Sequence, residues 1–228
     1  MAINFSHELR LRIQYGVLLF ALAIFLVSAG GFIYTSALIL LACFCTAELF
    51  LIVSKNEVDN KLIYRGVLCV FVPILSLYII REMFKEGMLL SFWFFISVAI
   101  VDTFAYFVGK AIGKHKLAPS ISPSKTIEGF TGGVLLATLF SMVFHYIFGS
   151  KMPLGWFMFI SFILAVLAQV SDLMESHFKR KFEVKDSSNL IPGHGGFLDR
   201  LDGYALTAPT LVVICLISKH IFNLNIFG

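Results

Sequence analysis

The sequence predicts an all-α fold, a polytopic transmembrane helical bundle of about seven spans in a single domain over residues 1–228. Hydrophobic residues make up 58% of the chain and charged residues only 14%, whereas soluble domains average about 45–50% apolar and about 25% charged residues. Apolar runs of about 20 residues, the length that crosses about 30 Å of hydrocarbon, recur between charged or Gly/Pro-rich breaks. These two observations exclude a soluble protein of ordinary composition.

Seven windows meet the length criterion. They are continuously apolar rather than alternating, which favours helices over barrel strands. The windows are 11–28, 32–53, 64–80, 88–109, 126–147, 154–173 and 204–221. Because so many apolar segments follow, we interpret the first 30 residues as a retained span rather than a cleavable signal peptide. The four cysteines lie inside apolar segments without zinc-site spacing, so we interpret them as packing residues.

Positive charge is distributed unevenly between the predicted connections. All but four of the 18 lysines and arginines fall on the side that carries the N-terminus. Since connections that stay in the cytoplasm are richer in positive charge, we expect a cytoplasmic N-terminus and a bacterial inner-membrane location. The two most basic connections, 110–125 and 174–203, then share the cytoplasmic face, where phosphate chemistry is expected. The alternative is that these cations only fix topology and contact anionic lipid head groups.

The segment SDLMESHFKRKFEVKDSSNLIPGHGGFLDRLDG, residues 171–203, concentrates carboxylates, cations and glycines between two spans. Asp199 and Asp202 are hard oxygen donors of the kind that Mg²⁺ takes. Glycines next to His194 allow backbone amides to approach a phosphate, although such a run is also an ordinary turn. The cations that can neutralise phosphate charge are Lys179, Arg180, Lys185 and Arg200, and the glycines are Gly193, Gly195 and Gly196.

Two predicted spans carry ionisable residues, which are functional candidates because charge inside a membrane is costly. Asp102 lies in the middle of one span and must face a polar cavity or a partner. On the span before the charged segment, one helical face carries Gln169, Asp172, Glu175 and Ser176 and continues as a small-residue surface suited to close packing. The alternatives are polar contacts between helices for Asp102 and a membrane-boundary cap for Asp172.

Ser122 before Pro123 predicts a helix N-cap followed by a first-turn proline. Lys125 and Thr126, together with the free amides of this helix start, then form an anion site on the cytoplasmic side. Gly129 and Gly133 have the spacing that allows another helix to pack closely, which also allows a homodimer.

These motifs resemble the phosphatidate cytidylyltransferase (CDP-diglyceride synthase, CDP-diacylglycerol synthase) family. The residues from Ser176 to Asp202 fit its signature without a gap: Ser-x-apolar-Lys-Arg, Lys-Asp-x-small, and Pro-x-His-Gly-Gly-apolar-x-Asp-Arg-apolar-Asp. Further agreement comes from the DTFAY segment that begins at Asp102, the stretch GKHKLAPSISPSKTIEG, the DLMES element and an early LRLR. The resemblance covers most of residues 98–203, and the chain looks shorter than many members of the family.

The resemblance implies an integral membrane nucleotidyltransferase of phospholipid biosynthesis. The phosphate of phosphatidic acid would attack the α-phosphorus of CTP, with Mg²⁺, as one ion or two, required. It implies no nucleic-acid partner. The metal ligands implied are Asp172, Asp199, Asp202, Asp186 and Ser176. The residues implied for the triphosphate or the lipid phosphate are Lys125, Thr126, Ser124, Lys179, Arg180, Asp102, Lys185, Arg200, Gly195 and Gly196, with His194 orienting the loop or transferring a proton.

Two residues depart from the family pattern, and other functions stay open. Ser171 stands where the family usually has glycine, and Ser124 stands where it usually has lysine, so one phosphate-facing cation is absent. A related enzyme that uses CTP on an isoprenoid-type lipid is the nearest alternative. An ion transporter lined by Asp102 and Asp172, or a scaffold without enzymatic activity, would not require the charged segment 171–203.

Overall fold

The computed structural model describes residues 7–54, 60–184, 186–188, 190–191, 195–221 and 226, with side chains from residue 14 onward except those of residues 60, 220 and 221. Most of the described chain is helical. The helices are α1 (His7–Ala29), α2 (Gly31–Val53), α3 (Asn60–Tyr78), α4 (Gly87–Ile112), α5 (Ile127–Phe148), α6 (Leu154–Lys181) and α7 (Tyr204–Ile221). A π-helical turn, Ile79–Met83, continues α3. Each predicted window coincides with one helix, so the all-α prediction is confirmed.

Five helical segments in the described chain are long and apolar enough to cross a membrane: Gly31–Val53, Lys61–Met83, Gly87–Ile112, Ile127–Phe148 and Leu154–Lys181. Two shorter apolar segments, Gln14–Ala29 and Tyr204–Lys219, accompany them. Helices suit a membrane because every backbone group inside the segment is hydrogen-bonded within it. The chain is therefore an integral membrane protein with a helical bundle.

Helix α6 extends eight residues beyond its predicted window, to Lys181. Residues 174–181 contain no glycine or proline, and Met, Glu, Lys and Arg among them are good helix formers. The basic residues of the last turn also complement the negative end of the helix dipole. As a result, Ser176, Lys179 and Arg180 belong to a rigid helix and not to the following connection.

The predicted helix start at Ser122 is wrong. Residues Ser122–Thr126 form a strand, β2, that pairs antiparallel with β1, Lys116–Ala118. Thr126 is the N-cap instead: its hydroxyl accepts a 3.1 Å hydrogen bond from the N–H of Gly129, and α5 begins at Ile127. Proline fits a two-stranded hairpin because an edge position needs no N–H donor. Threonine is also a favoured cap, so the hairpin displaces the helix start by four residues.

Small residues bring α4 and α5 into the most extensive helix contact of the described chain. A Cβ atom on Gly133 would lie 2.6 Å from the carbonyl oxygen of Val101, and one on Gly129 would lie 2.5 Å from that of Ala105. The predicted close packing at these glycines is confirmed, and the partner helix belongs to the same chain. The face that suggested a homodimer is thus covered by α4, and a homodimer stays a prediction.

The small-residue surface of α6 packs against α5, as its spacing predicts. The hydroxyl oxygens of Ser141 and Ser161 are 2.6 Å apart, and the indole N–H of Trp93 donates to Ser141 at 2.8 Å. Ala165 and Ala168 are buried in the same seam. The hydrogen bonds satisfy polar groups that would otherwise be costly inside the bundle.

At the end of the bundle that carries the π-helical turn, two charged side chains hold the junction of α1 and α2. The guanidinium Nε of Arg81 donates to the carbonyl of Val27 at 2.7 Å, and the carboxylate of Glu82 accepts the N–H of Gly31 at 2.9 Å. Gly30 has a φ of 60°, which favours glycine. These contacts fix the sharp turn between the two helices.

We expect the substitution Gly133→Ala to lower the thermal unfolding midpoint, because the added methyl group meets backbone and cannot be accommodated by a side-chain rotation. Overpacking of this kind costs about 1–3 kcal/mol. The matched control is Gly155→Ala in α6, where a Cβ meets nothing within 4 Å. Equal midpoints for the two variants in the same detergent would contradict the close α4–α5 contact.

Candidate functional site

Charged side chains converge at one end of the bundle, where the β1–β2 hairpin, the end of α6, a 3-10 turn Leu198–Arg200 and the start of α7 meet. The ammonium of Lys125 on β2 contacts the carboxylate of Asp172 on α6. This ion pair joins the first of the two most basic connections to the span that leads into the second. The two connections therefore begin at the same end of the bundle, and their predicted cytoplasmic position stays a prediction.

Asp172 is the centre of a first group of contacts. Its side chain is 26% exposed and that of Lys125 is 18% exposed, but the ammonium nitrogen of Lys125 is buried against the carboxylate. The hydroxyl of Ser176, one turn further along α6, donates to Asp172 at 3.4 Å. The predicted helical face therefore brings these side chains together.

Asp202 adds a second carboxylate beside Asp172. Burial, and then the negative charge of Asp172, raise the pKa of Asp202 to about 6. The carboxylate accepts the N–H of Gly203 at 2.6 Å, and the hydroxyl of Ser171 donates to the main-chain carbonyl of Asp202. Ser171, which departs from the family pattern, thus ties α6 to the start of α7.

Asp102 on α4 faces the same cluster, as its place in the middle of a span predicts. It interacts electrostatically with both Asp202 and Asp172 and with the cations Lys125 and Arg200. Three carboxylates from three different elements are therefore concentrated around two cations. Such a group favours a further cation, because like charges repel until one is added.

A second group of contacts is centred on Lys179, which is only 8% exposed. Its ammonium lies 2.6 Å from a carboxylate oxygen of Asp199 and 3.2 Å from one of Glu175. Both carboxylates compensate the buried cation. Lys179 therefore links α6 to the 3-10 turn.

Asp199 anchors the connection between α6 and α7. Its second carboxylate oxygen accepts the N–H of Ser187 at 2.9 Å, the hydroxyl of Ser187 at 2.9 Å and the N–H of Gly196 at 2.8 Å. Burial alone would raise the pKa of Asp199, but hydrogen bonds from Gly196 and Lys179 lower it below its ordinary value. Gly195 has a φ of 77°, which an L-residue rarely adopts.

Glu48 on α2 is a site residue that the sequence reasoning missed. It is 1% exposed and accepts hydrogen bonds from the Ser187 hydroxyl at 3.0 Å and the Ser188 hydroxyl at 2.6 Å. It also accepts the N–H groups of Phe197 at 3.0 Å and Leu198 at 2.8 Å. An ionisable residue inside an apolar window was the available signal, the same one that identified Asp102.

The remaining predicted residues lie nearby with fewer contacts. Thr126 is buried as the cap of α5, and Ser124 is exposed on β2. Arg180 is exposed and donates to the carbonyl of Val184 at 3.3 Å. Asp186 and Arg200 are exposed, and Arg200 lies within electrostatic reach of Asp202. Lys185, Gly193 and His194 lie outside the described residues, so their predicted roles stay predictions.

The carboxylates of the site can offer Mg²⁺ only part of its ligand shell. Within the described ranges, no three His, Cys, Asp or Glu side chains form a group that could hold a metal ion alone. Mg²⁺ commonly takes one or two carboxylates and completes its shell with substrate phosphates and water. Asp172 and Asp202 fit that need best, because the side chain of Asp172 is 26% exposed, whereas that of Asp199 is only 6% exposed and is held by Lys179, Ser187 and Gly196. A metal ion at Asp172 would take the place of its contacts with Lys125 and Ser176.

The model of the Cytidylyltransferase family matches residues 64–218, about two thirds of the chain. This chain belongs to the cytidylyltransferase family. The match includes Asp102, Asp172 and Asp202, so the carboxylate cluster lies inside the region that defines the family. Glu48 lies outside the matched residues.

Curated relatives of this chain carry the name phosphatidate cytidylyltransferase, as the sequence resemblance predicts. The protein of Bacillus subtilis (strain 168) is 42% identical over 132 residues, 58% of this chain and 49% of that protein. The protein of Staphylococcus epidermidis (strain RP62A) is 38% identical over 168 residues, 72% of this chain and 64% of that protein. The protein of Staphylococcus aureus (strain COL) is also 38% identical over 168 residues. The chain thus spans about half to two thirds of the length of these relatives.

Proposed function

We propose that this cytidylyltransferase transfers the cytidylyl group of CTP to phosphatidic acid and produces CDP-diacylglycerol and pyrophosphate. The observation that carries the proposal is the cluster of Asp102, Lys125, Asp172 and Asp202 at one end of a membrane bundle. The family match and the names of the relatives supply the reaction class. The bundle supplies access for a lipid substrate.

The proposed reaction forms one bond and breaks one. An oxygen of the phosphatidate phosphate bonds to the α-phosphorus of CTP, and the bond from that phosphorus to the oxygen bridging the α- and β-phosphates breaks. The electron pair of the broken bond leaves with pyrophosphate. A phosphate monoester is largely ionised near neutral pH, since its second pKa is about 6, so no strong general base is needed.

Charge stabilisation is then the main task of the side chains. Lys125 and Arg200 are assigned to the phosphate oxygens, where their positive charge offsets the negative charge that develops on the leaving pyrophosphate. Asp172 and Asp202 are assigned to Mg²⁺. A bound Mg²⁺ would add positive charge at the triphosphate and orient it. Ser176 donates to Asp172 and holds that carboxylate in position.

We place the site on the cytoplasmic side of a bacterial inner membrane. The two connections that converge at the site carry nine of the 18 Lys and Arg residues, and connections rich in positive charge stay in the cytoplasm. CTP is a soluble cytoplasmic nucleotide, so this orientation brings the two substrates to the same face.

The test is incorporation of labelled CTP into chloroform-extractable lipid by the purified protein with phosphatidic acid and Mg²⁺. We expect Asp202→Asn to lower the rate by about 100-fold, the scale of losing one transition-state charge partner. The matched control is Glu86→Gln at the other end of the bundle, which is expected to keep its activity. The proposal would be wrong if folded protein gave no labelled lipid with several phosphatidic acids but did give product with an isoprenoid phosphate. The acceptor would then be the isoprenoid lipid.

A further inference from the structure

A groove of about 780 Å³ opens between α3, α6 and α7. Its volume falls in the range of about 300–1,000 Å³ that small-molecule sites occupy. Helices α3 and α6 both pack on α7 but make few contacts with each other, which leaves the groove between them. The groove is therefore built into the arrangement of the three helices.

The groove has two apolar walls formed by single helical stripes. On α3 the stripe is Leu62, Gly66, Cys69 and Val72, and on α6 it is Val170, Met174 and Phe178. Spacings of three and four residues place each stripe on one helix face. Met174 is 53% exposed although it faces other apolar residues, so the described chain leaves this apolar surface uncovered.

The groove ends in a cationic rim made of Arg65 and Lys181, with His177 beside them. These three side chains form no hydrogen bond or ion pair within the described residues, unlike Lys125 and Lys179. Glu175 also lines the groove, but its carboxylate is ion-paired with the ammonium of Lys179. The rim thus offers positive charge to an anion.

The depth of the groove matches one leaflet of a bilayer. The stripe from Leu62 to Val72 runs about 15 Å along α3 at 1.5 Å per residue. The hydrocarbon core is about 30 Å thick, so the groove covers about half of it. An acyl chain that enters from one leaflet would fill the apolar part and place its phosphate at the cationic rim.

The groove borders the candidate site, because Ser171 and Glu175 line it, but its cationic rim lies away from the cluster assigned to CTP. With about 100° per residue on an α-helix, Lys181 lies on the face of α6 opposite to Asp172. Leu198 and Leu201 form the wall between the groove and the neighbouring Asp199 and Asp202. A phosphate at the rim therefore does not reach the carboxylate cluster.

We propose that this groove is an accessory site for an anionic phospholipid, with an acyl chain between α3 and α6 and the phosphate on Arg65 and Lys181. His177, one turn before Lys181, adds a hydrogen-bond donor. The site is independent of the proposed transfer reaction, because it requires only that the chain lies in a bilayer. Each basic residue near an anionic lipid surface contributes on the order of 1 kcal/mol, so a selective site requires the pair.

The test uses tryptophan fluorescence of Met174→Trp in vesicles of mixed lipid, with bromine on the acyl chains of one lipid at a time. The signal of the native Trp93 and Trp156, measured in the unchanged protein, is subtracted. We expect brominated phosphatidylglycerol to quench the new tryptophan about threefold or more better than brominated phosphatidylcholine at equal fraction. The added changes Arg65→Gln and Lys181→Gln are expected to abolish this preference. The matched loss of two other cations, Lys114→Gln with Lys116→Gln, is expected to leave it intact.

The reference for ordinary lipid contact is Leu135→Trp on α5, an exposed position outside the groove. If both tryptophans show the same preference for phosphatidylglycerol, the quenching reports only the general lipid layer around the protein. That result would overturn the proposal. Strong quenching by brominated phosphatidic acid, with none by phosphatidylglycerol, would overturn it as well, because the groove would then be a substrate subsite. Both readouts are independent of the transfer assay.

Discussion

The variant Asp199→Ala is expected to lose at least about 100-fold in turnover while its half-saturating Mg²⁺ concentration stays unchanged. Asp199 receives three hydrogen bonds from Ser187 and Gly196 and an ion pair from Lys179. Hydrogen bonds to a charged group contribute about 1.5–3 kcal/mol each, so removing this acceptor loosens the connection between α6 and α7. That connection leads directly into Asp202.

The comparison variant is Asp172→Asn, for which we expect both a lower turnover and a higher Mg²⁺ requirement. The two variants separate a residue that positions the loop from one that holds the ion. Mg²⁺ titration of the transfer rate is the measurement. A raised Mg²⁺ requirement for Asp199→Ala would show that Asp199 is a ligand, as the sequence resemblance implies, and would contradict the anchoring role.

The variant Glu48→Ala is expected to reduce the transfer rate by about 10- to 100-fold. This is the effect typical of residues that orient a catalytic group through hydrogen bonds without touching the substrate. It would leave the N–H groups of Phe197 and Leu198 buried without an acceptor, and each such group costs about 1–3 kcal/mol. Glu48→Gln keeps one carbonyl acceptor, so its loss should be smaller. Amide hydrogen exchange at residues 195–201 should speed up in the same order.

The matched control is Glu82→Gln. Glu82 also accepts a main-chain N–H, that of Gly31, but at the other end of the bundle. We expect it to lower thermal stability without a change in turnover or in hydrogen exchange at residues 195–201. If Glu48→Ala behaves like this control, Glu48 contributes only to stability and does not position the loop.

The helices could be predicted closely because each must bury its backbone polar groups over a length that the membrane fixes. The start of α5 could not, because two competing caps are four residues apart. Ser122 with Pro123 fits the local pattern, but Thr126 is chosen once β2 pairs with β1. Pairing between strands is a non-local interaction that the pattern at Ser122 does not contain.

The site could be predicted only in part for the same physical reason. The sequence indicated that Asp172, Asp199 and Asp202 belong to one site, and the three do lie at one end of the bundle. It could not indicate that Lys125 pairs with Asp172. It also could not indicate that the carboxylate of Asp199 accepts hydrogen bonds from the connection between α6 and α7. Glu48 contacts residues 139–150 positions away, and its only local signal is a charge inside an apolar window.

The glycine contacts between α4 and α5 also bear on movement during turnover. At Gly129 and Gly133 the two backbones are in direct contact, without side chains between them. Because no side chain there can rotate to let the helices slide, α4 and α5 are expected to move as one body. Rearrangement for lipid exchange would then fall to α3, which contacts α6 only sparsely. Spin-label distances should accordingly stay constant between α4 and α5 and vary between α3 and α6 when nucleotide is added.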